Sequence, residues 1–210
     1  MVEIDKRIWS IDKLYQNIFN SKQYSKMLVI VGPSGSGKST CAEFIESRYN
    51  YKAINLYTTR EKRKKTTEKN VFSLSKKEFE EKLHINYFFL SRVGIEPFYG
   101  YSKRDLEKIL NLNKSPILMF RNHGIEFLSD VIYNMEVIFI TGDAKKIVSQ
   151  SHSITPKFSE SEVKKILDNN LKLKNKLDYK GIKNYTINNN YDENFFESIS
   201  KLELFGEEYV

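Results

Sequence analysis

One stretch of the chain, MLVIVGPSGSGKST at residues 27–40, combines residue types and a spacing suited to binding phosphate. The fixed positions of the pattern G-x-x-x-x-G-K-[ST] are occupied by Gly32, Gly37, Lys38 and Ser39. Five apolar residues before the loop predict a buried strand, and the amphipathic segment after it predicts a helix. A strand, a glycine-rich loop and a helix in this order bind the phosphates of a nucleoside triphosphate. The pattern therefore predicts an ATP-binding site.

Each residue type in this loop has a physical reason to meet a phosphate group. Glycines let backbone N–H groups turn inward toward the ligand, and the N-terminus of the following helix adds partial positive charge. Lys38 supplies a mobile cation for the terminal phosphates, and we predict that it is catalytic. The Ser39 hydroxyl is a predicted ligand of Mg²⁺. The predicted ATP contacts are Gly35, Ser36, Gly37, Lys38, Ser39 and Thr40.

The composition is that of a globular protein with room for one domain. The chain has 210 residues, of which 40% are hydrophobic and 13% are aromatic. The first residues contain charges without an apolar signal core, and no apolar run is long enough to span a bilayer. Cys41 is the single cysteine, which suits a reducing compartment, so we predict a cytoplasmic protein without a membrane partner. The formal net charge of +7 favours polyanionic ligands such as nucleotides, sugar phosphates and nucleic acid.

Apolar runs suited to buried strands alternate with amphipathic segments suited to helices along the chain. The predicted strands are Met27–Val31, Ala53–Tyr57, Pro116–Phe120, Glu136–Ile140 and Ile182–Ile187. This alternation predicts an α/β fold of the P-loop NTPase class, with a parallel sheet and helices on both of its faces. Ligands in such sheets lie beyond the carboxyl ends of the strands. The parts expected to surround one cleft are the phosphate loop, Thr58–Arg63, Arg121 and the turn at Thr141.

The segment before the first core strand is predicted to be an addition to this domain. Apolar residues recur at helical spacing over Ser10–Asn20, which predicts an amphipathic helix. We divide the chain into an N-terminal helical extension, residues 1–26, and a P-loop domain, residues 27–210. Packing of the helix against the same domain is a simpler expectation than a partner-binding role.

Together with the loop, several stretches resemble the guanylate kinase family of nucleoside-monophosphate kinases. The matching stretches are GPSGSGKST (Gly32–Thr40), TTREKR (Thr58–Arg63), SLSKKEF (Ser73–Phe79), FYGYS (Phe98–Ser102) and NNN (Asn188–Asn190). The similarity runs from about Met27 to Leu204, and TTRxxR followed by YG is more selective than the loop alone. The resemblance implies a guanylate kinase-like fold and an enzyme that transfers the γ-phosphoryl group of ATP to a small phosphorylated acceptor.

The resemblance assigns the phosphate of the acceptor to three residues of this chain. In the family, the two arginines of TTRxxR and the tyrosine of YG hold that phosphate, and here these positions are Arg60, Arg63 and Tyr99. Arginine suits this role because its planar guanidinium binds phosphate oxygens through paired hydrogen bonds and stays charged. The phosphate half of the acceptor site is therefore expected to be present.

The residues with which the family reads guanine are replaced in this chain. The positions that the resemblance assigns to them hold Val71, Leu90, Tyr101, Met119 and Arg121, the last two in place of the carboxylates of an Asp-x-Asp pattern. A guanine edge offers N–H donors, and an apolar side chain gives them no acceptor, at a cost of about 1–3 kcal/mol per buried group. GMP is the default substrate of the family, but we predict an acceptor that carries phosphate without guanine.

A group with a similar fold, the ribose 1,5-bisphosphate phosphokinases, departs from guanylate kinases in the same direction. The stretch NVFSLSKKEF (Asn70–Phe79) and Asn122 are similar to that group. Our predicted acceptor is therefore a non-guanine nucleotide or a sugar phosphate such as ribose 1,5-bisphosphate.

The mobile lid of the family carries arginines that neutralise charge during phosphoryl transfer. The corresponding segment here, Ser149–Ser159, contains Lys157 and no arginine, and the position of a nearby helix arginine holds Ile166. Arg121 stands where a carboxylate would help to hold Mg²⁺, and a cation there either excludes the metal from that place or itself contacts phosphate. The predicted catalytic residues are Lys38, Arg121 and Lys157, and the alternatives for the missing lid charge include Arg92 and Arg104.

Three other interpretations stay open on the sequence alone. A Gly/Ser-rich turn before an ordinary helix is the plain alternative to the phosphate loop, and the complete motif disfavours it. A catalytically impaired guanylate kinase-like module would bind nucleotide or a phosphorylated partner, but such modules degrade the loop that is intact here. A kinase of nucleic-acid ends is suggested only by the net charge and the basic run Lys62–Lys65, which lacks interleaved aromatic residues. We therefore expect no nucleic-acid partner.

Overall fold

The computed structural model describes residues 8–21, 26–61, 69–121, 123–151 and 158–205 of the chain. The predictions for Lys62–Lys65 (Arg63 included), Asn122 and Lys157 concern residues outside these ranges. The described strands are β1 (Ile8–Ile11), β2 (Met27–Val31), β3 (Tyr51–Ala53), β4 (Leu56–Thr58), β5 (Val71–Ser73), β6 (Phe88–Val93), β7 (Tyr99–Ser102), β8 (Ser115–Phe120), β9 (Met135–Thr141) and β10 (Asn184–Asn188). The described helices are α1 (Lys13–Asn20), α2 (Lys38–Arg48), α3 (Lys76–His84), α4 (Lys103–Asn111), α5 (His123–Val131), α6 (Ala144–Gln150), α7 (Glu160–Tyr179) and α8 (Asn194–Ser200).

Five strands form a parallel sheet in the order β10-β9-β2-β8-β3, with β2 in the centre. Every residue of β2 is buried, which explains why its sequence is a continuous apolar run. Successive side chains point to opposite faces, so Met27, Val29 and Val31 join one core cluster. Leu28 and Ile30 join another cluster on the opposite face. The predicted parallel sheet is confirmed.

Helices cover both faces of this sheet, as predicted. Leu106 of α4, Leu128 of α5 and Leu177 of α7 are buried in the cluster that contains Val29. The other cluster includes Ile45 of α2 and Ile199 of α8. Within the described ranges, no helix combines the length and the apolar character needed to cross a membrane.

A second sheet has the strand order β1-β6-β7-β4-β5, in which only the β4–β5 pair is parallel. The predicted strand Ala53–Tyr57 is wrong in its bounds, because β3 ends at Ala53 in the central sheet and β4 begins at Leu56 in the second sheet. The Ile54 N–H donates to the Ile117 carbonyl at 3.0 Å, whereas the Leu56 N–H donates to the Asn70 carbonyl at 2.8 Å. The chain thus passes from one sheet to the other within the five residues predicted as one strand.

The segment before β2 contains a strand as well as the predicted helix. Residues Ile8–Ile11 pair with β6, so the prediction that the helix begins at Ser10 is wrong. The helix begins at Lys13, where the Asp12 carboxylate accepts a hydrogen bond from the Leu14 N–H at 2.9 Å. Its buried side chains, Tyr15 and Phe19, join the core cluster of the central sheet, in agreement with packing against the same domain.

Candidate active site

The phosphate loop joins β2 to α2 at the carboxyl edge of the central sheet. Gly35 and Gly37 have φ angles of 87° and 96°, in the left-handed region that favours glycine. A Cβ at Gly37 would lie only 2.4 Å from Asn189 Nδ2. At Gly32, a Cβ would lie 2.5 Å from Ser36 Oγ. Backbone conformation and close contacts therefore both require glycine in this loop.

The loop between β10 and α8 holds the phosphate loop in shape. Asn189 is buried, and its Nδ2 donates to the Ser36 carbonyl at 2.9 Å. The Tyr191 hydroxyl donates to the Gly35 carbonyl at 2.7 Å. The Tyr191 N–H in turn donates to Asn189 Oδ1 at 2.8 Å, so the two side chains support each other. Side chains from a distant part of the sequence thus preorganise the phosphate loop.

The donors of this loop fit an anion with several oxygen atoms. Gly37 precedes α2 without a side-chain cap, which leaves the first N–H groups of the helix uncapped by that residue. Ser36 Oγ is buried and makes no hydrogen bond within the described part of the chain. Lys38 Nζ donates to the carbonyls of Gly32 and Pro33 at 2.9 and 2.7 Å, which places its ammonium group across the loop. The residues present are therefore suited to a bound triphosphate.

Magnesium would be held here by few protein atoms. Ser39, the predicted ligand, lines the cleft in the first turn of α2. Among the residues that the structure describes, no group of three or more His, Cys, Asp or Glu side chains is arranged to hold a metal. Mg²⁺ in kinases keeps several waters and binds substrate phosphates, so one hydroxyl beside phosphate oxygens fits this ion. The role of Ser39 stays a prediction.

We expect Asn189→Ala to lower the free energy of unfolding by about 1–3 kcal/mol, because the buried Ser36 carbonyl loses its donor. The loosened phosphate loop should also bind ATP more weakly. Urea unfolding and isothermal titration with ATP measure the two effects. Asn190→Ala is the matched control, since Asn190 is exposed and its side chain should contribute to neither quantity. An unchanged unfolding curve for Asn189→Ala would contradict the supporting role.

A cavity of about 890 Å³ opens beside the phosphate loop and reaches the second sheet. The predicted site residues that line it are Gly35, Gly37, Lys38, Ser39, Thr40, Arg60, Tyr99 and Arg121. Ser36 is buried, and Arg63 and Lys157 lie outside the described ranges. The expected position of the Thr141 turn is corrected, because Thr141 is not among the lining residues. Asn189 lines the cavity and donates its N–H to the Thr141 carbonyl at 2.9 Å.

Hydrogen bonds bring the TTR and FYG segments together at the cavity. Thr58 Oγ1 donates to the Phe98 carbonyl at 2.8 Å, and the Phe98 N–H donates to Thr59 Oγ1 at 2.9 Å. Thr58 and Tyr99 are also direct partners in the pairing of β4 with β7. These bonds explain how Arg60 and Tyr99, far apart in the sequence, come to line one cavity.

We call the face of the second sheet that lines the cavity the sheet wall; its lining residues are Trp9, Leu56, Val71, Arg92, Tyr99 and Tyr101. Residues directly opposite each other on neighbouring strands share a face, so the pairing arranges this wall in rows. One row is Trp9, Arg92, Tyr99 and Thr58. The next row is Ile11, Leu90, Tyr101, Leu56 and Val71. The first row carries a cation and the second is mostly apolar.

Three arginines, Arg60, Arg92 and Arg121, give the cavity a positive character. The Arg92 guanidinium lies 4.5 Å from the centre of the Tyr99 ring, and that of Arg121 lies 4.8 Å from the centre of the Phe158 ring. Burial lowers the pKa of Arg121, while Tyr99 raises it and the charge of Arg60 lowers it. These couplings indicate that Arg60, Tyr99 and Arg121 lie near one another, where an anion would be stabilised.

The positions assigned to guanine recognition are apolar or already hydrogen-bonded, apart from the cation Arg121. Leu90 is fully buried, and Met119 lines the cavity. The Tyr101 hydroxyl donates to the Met119 carbonyl at 2.9 Å, and burial raises the pKa of Tyr101. The described carboxylates that line the cavity, Asp192 and Glu193, follow β10 and belong to the loop that supports the phosphate loop. The sheet wall therefore offers a purine no carboxylate among the described residues.

Comparison with known proteins places these features in a family. The family model described as guanylate kinase matches residues 24–204. The chain belongs to the guanylate kinase family. A guanylate kinase of Mycoplasmopsis synoviae is 26% identical over 134 residues, which are 58% of this chain and 66% of that protein. A guanylate kinase of Blochmanniella pennsylvanica is 33% identical over 129 residues, which are 57% of this chain and 59% of that protein.

The structural match to a guanylate kinase covers more of this chain than the sequence matches to the two relatives do. The chain spans less than two thirds of the length of these curated relatives, 66% and 59%. A crystal structure of guanylate kinase from Anaplasma phagocytophilum covers 85% of this chain and 82% of that chain, with a TM-score of 0.59 and 18% identity. This likeness confirms the predicted guanylate kinase-like α/β fold. Strand β1 precedes the region that the family model matches.

The cavity of this guanylate kinase family member also contains side chains to which sequence reasoning gave no role. Trp9 of β1 lines it, as do Asn189 and Tyr191 of the β10–α8 loop. A single tryptophan before the matched region has no spacing pattern that would indicate a role. The stretch NNN (Asn188–Asn190) indicates a loop but does not show which groups its side chains bind. Of the arginines named as alternatives, Arg92 lines the cavity, whereas Arg104 is exposed and does not.

Proposed function

We propose that this guanylate kinase family member transfers the γ-phosphoryl group of ATP to a small phosphorylated acceptor. The observation that carries the proposal is one cavity with anion-binding groups on two sides. Lys38 and Ser39 at the phosphate loop line the cavity together with Arg60 and Tyr99 from the second sheet and its neighbouring turn, and with Arg121 directly after β8. In the reaction, an acceptor oxygen attacks the γ-phosphorus, the bond from that phosphorus to the β–γ bridging oxygen breaks, and ADP leaves.

The residues of the chain would act by positioning charge rather than by covalent chemistry. Lys38 and the N-terminus of α2 hold the terminal phosphates, and Ser39 ligates Mg²⁺. The chemistry that a bound Mg²⁺ would supply there is neutralisation of phosphate charge. Arg60 and Tyr99 hold the acceptor phosphate, with Arg63 as a further proposed contact. Arg121, which directly follows β8 where the resemblance places a carboxylate, and Lys157 of the lid segment are the further proposed catalytic cations.

The proposed acceptor carries phosphate but no guanine. Support comes from the apolar row of the sheet wall and from Met119, which stand where guanine would need hydrogen-bond acceptors. The Tyr101 hydroxyl is already engaged as a donor to the Met119 carbonyl. A sugar phosphate such as ribose 1,5-bisphosphate, or a non-guanine nucleotide, would leave fewer hydrogen-bond donors without an acceptor at this surface. GMP, the family default, is the reference against which these acceptors are compared.

We expect GMP to be a poor acceptor, with turnover well below the ~10 s⁻¹ that is typical of enzymes. A screen with labelled ATP and Mg²⁺ over GMP, AMP, CMP, UMP, ribose 5-phosphate and ribose 1,5-bisphosphate measures this directly. Efficient turnover of GMP would refute the non-guanine acceptor and leave the kinase assignment intact. Met119→Asp should raise GMP turnover, whereas Met119→Leu, the matched control, should not. Transfer to none of the compounds would refute the acceptor classes named here.

One observation favours a second candidate, a nucleotide-binding module with impaired catalysis. Ile166 of α7 lines the cavity at the position where the family places an arginine. Loss of a cation near the transferring phosphate costs on the order of 10³–10⁵ in rate in related phosphoryl transfers. Tight ATP binding in titration calorimetry, together with no transfer to any acceptor, would support this candidate over the kinase.

A further inference from the structure

Strand β1 brings the only tryptophan of the chain into the cavity beside the phosphate loop. Trp9 pairs directly with Arg92 of β6, which pairs with Tyr99 of β7. Neighbouring strands lie about 4.8 Å apart, so Trp9 stands about 10 Å along the same face from the proposed phosphate-binding tyrosine. That separation suits the body of a small phosphorylated molecule whose phosphate is held at Tyr99.

The indole of Trp9 is held in place by packing on several sides. It meets the Phe120 ring edge-on, with 5.4 Å between ring centres, and stacks on Phe127 with 6.3 Å between centres. At Gly124, which also lines the cavity, a Cβ would lie 3.0 Å from Trp9 Cη2 and still closer to the Phe120 ring. The position of the indole is thus set before any ligand binds, and part of its surface remains on the cavity.

An indole beside the apolar row of the sheet wall offers a flat, weakly polar surface. Such a surface recognises the face of a sugar or base ring by contact, and it does not bind phosphate. We propose that Trp9 is a specificity-determining residue that contacts the ring of the phosphorylated acceptor. The N-terminal segment would then complete the acceptor site rather than only extend the domain. This inference rests on the phosphotransfer proposed above.

Because the chain has a single tryptophan, its fluorescence reports on this position alone. We expect at least one of AMP, GMP, ribose 5-phosphate and ribose 1,5-bisphosphate to change the emission of the full-length protein with a saturable dependence. Inorganic phosphate, which lacks a ring, and Mg·ADP, which occupies the loop side, should change it far less. An equal change with Mg·ADP, or no change with all four compounds, would overturn the inference.

Kinetics of matched variants separate contact with the acceptor from a merely structural role. Trp9→Ala should raise KM for the acceptor about tenfold while KM for ATP stays within about twofold, and Trp9→Phe should recover most of the loss. Tyr49→Ala is the control, because Tyr49 is a half-buried aromatic stacked on Phe205 at 3.9 Å and does not line the cavity. Equal increases in both KM values would contradict the proposal.

The two proposals can fail separately. Transfer to an acceptor that binds without altering Trp9 emission would refute the role of Trp9 and leave the phosphotransfer standing. If an acceptor binds and alters the Trp9 emission but is not phosphorylated, the phosphotransfer is refuted and the contact with Trp9 stands. If Trp9→Ala proves unfolded by circular dichroism, Trp9→Phe and the fluorescence of the unaltered protein still decide the question.

Discussion

Lys38→Ala is expected to abolish ATP-dependent phosphoryl transfer, with a loss in kcat on the order of 10³-fold or more. The ammonium group of Lys38 lies across the phosphate loop, 2.9 and 2.7 Å from the carbonyls of Gly32 and Pro33. It is therefore positioned to follow the terminal phosphate oxygens of ATP as negative charge moves toward the leaving group. Initial-rate kinetics with the best acceptor from the screen measure the loss.

The matched control for this variant is Lys172→Ala, which removes an exposed lysine from α7, away from the lining of the cavity. Its rates should equal those of the unaltered protein. Circular dichroism is the check that Lys38→Ala keeps its fold. Activity of Lys38→Ala within tenfold of the original would contradict the proposed role of the loop.

Arg60→Ala is expected to weaken binding of the acceptor far more than binding of ATP. Loss of charge-assisted hydrogen bonds to a phosphate costs about 2–3 kcal/mol, which raises KM for the acceptor about 30- to 150-fold. The dissociation constant of ATP should change little, because the phosphate loop is supported from the other side by Asn189 and Tyr191. Steady-state kinetics and titration calorimetry measure the two quantities.

Arg48→Ala is the charge-matched control for Arg60, since Arg48 is exposed at the end of α2 and does not line the cavity. Its loss changes the net charge of the protein by the same amount. An equal increase in KM for the acceptor in both variants would indicate general electrostatic attraction rather than a specific contact. Equal losses for ATP and acceptor in Arg60→Ala would contradict a site divided between the two sides of the cavity.

The division of the cavity explains how one fold could keep its reaction while changing its acceptor. Arg60 and Tyr99, which we propose meet phosphate, directly follow Thr59 and Phe98, and hydrogen bonds join Thr58 and Thr59 to Phe98. The groups that would meet a base are side chains on the sheet wall, and replacing them leaves the strand pairing intact. Met119 of β8 and Arg121 directly after it belong to the central sheet and line the same cavity, at positions that the resemblance assigns to two carboxylates.

The sequence by itself determined the phosphate loop, the central strands and the residues expected to hold two phosphates. These signals are local: glycine spacing, a fully apolar strand and an arginine pair within one motif are read from neighbouring residues. The phosphate-binding and catalytic roles of these residues remain predictions, and Arg63 and Lys157 also lie outside the described ranges.

Only the tertiary structure decided where the short strands pair and which distant side chains share the cavity. Strands of three or four residues, such as β1 and β4, are too short for a periodic signal, and Ile11 fits the spacing of a strand and of a helix alike. Their pairing depends on partners far along the chain, as in the contact of Trp9 with Phe120 and the bond from Asn189 to the Ser36 carbonyl. Such contacts form when the whole core is buried, so no local pattern of residues specifies them.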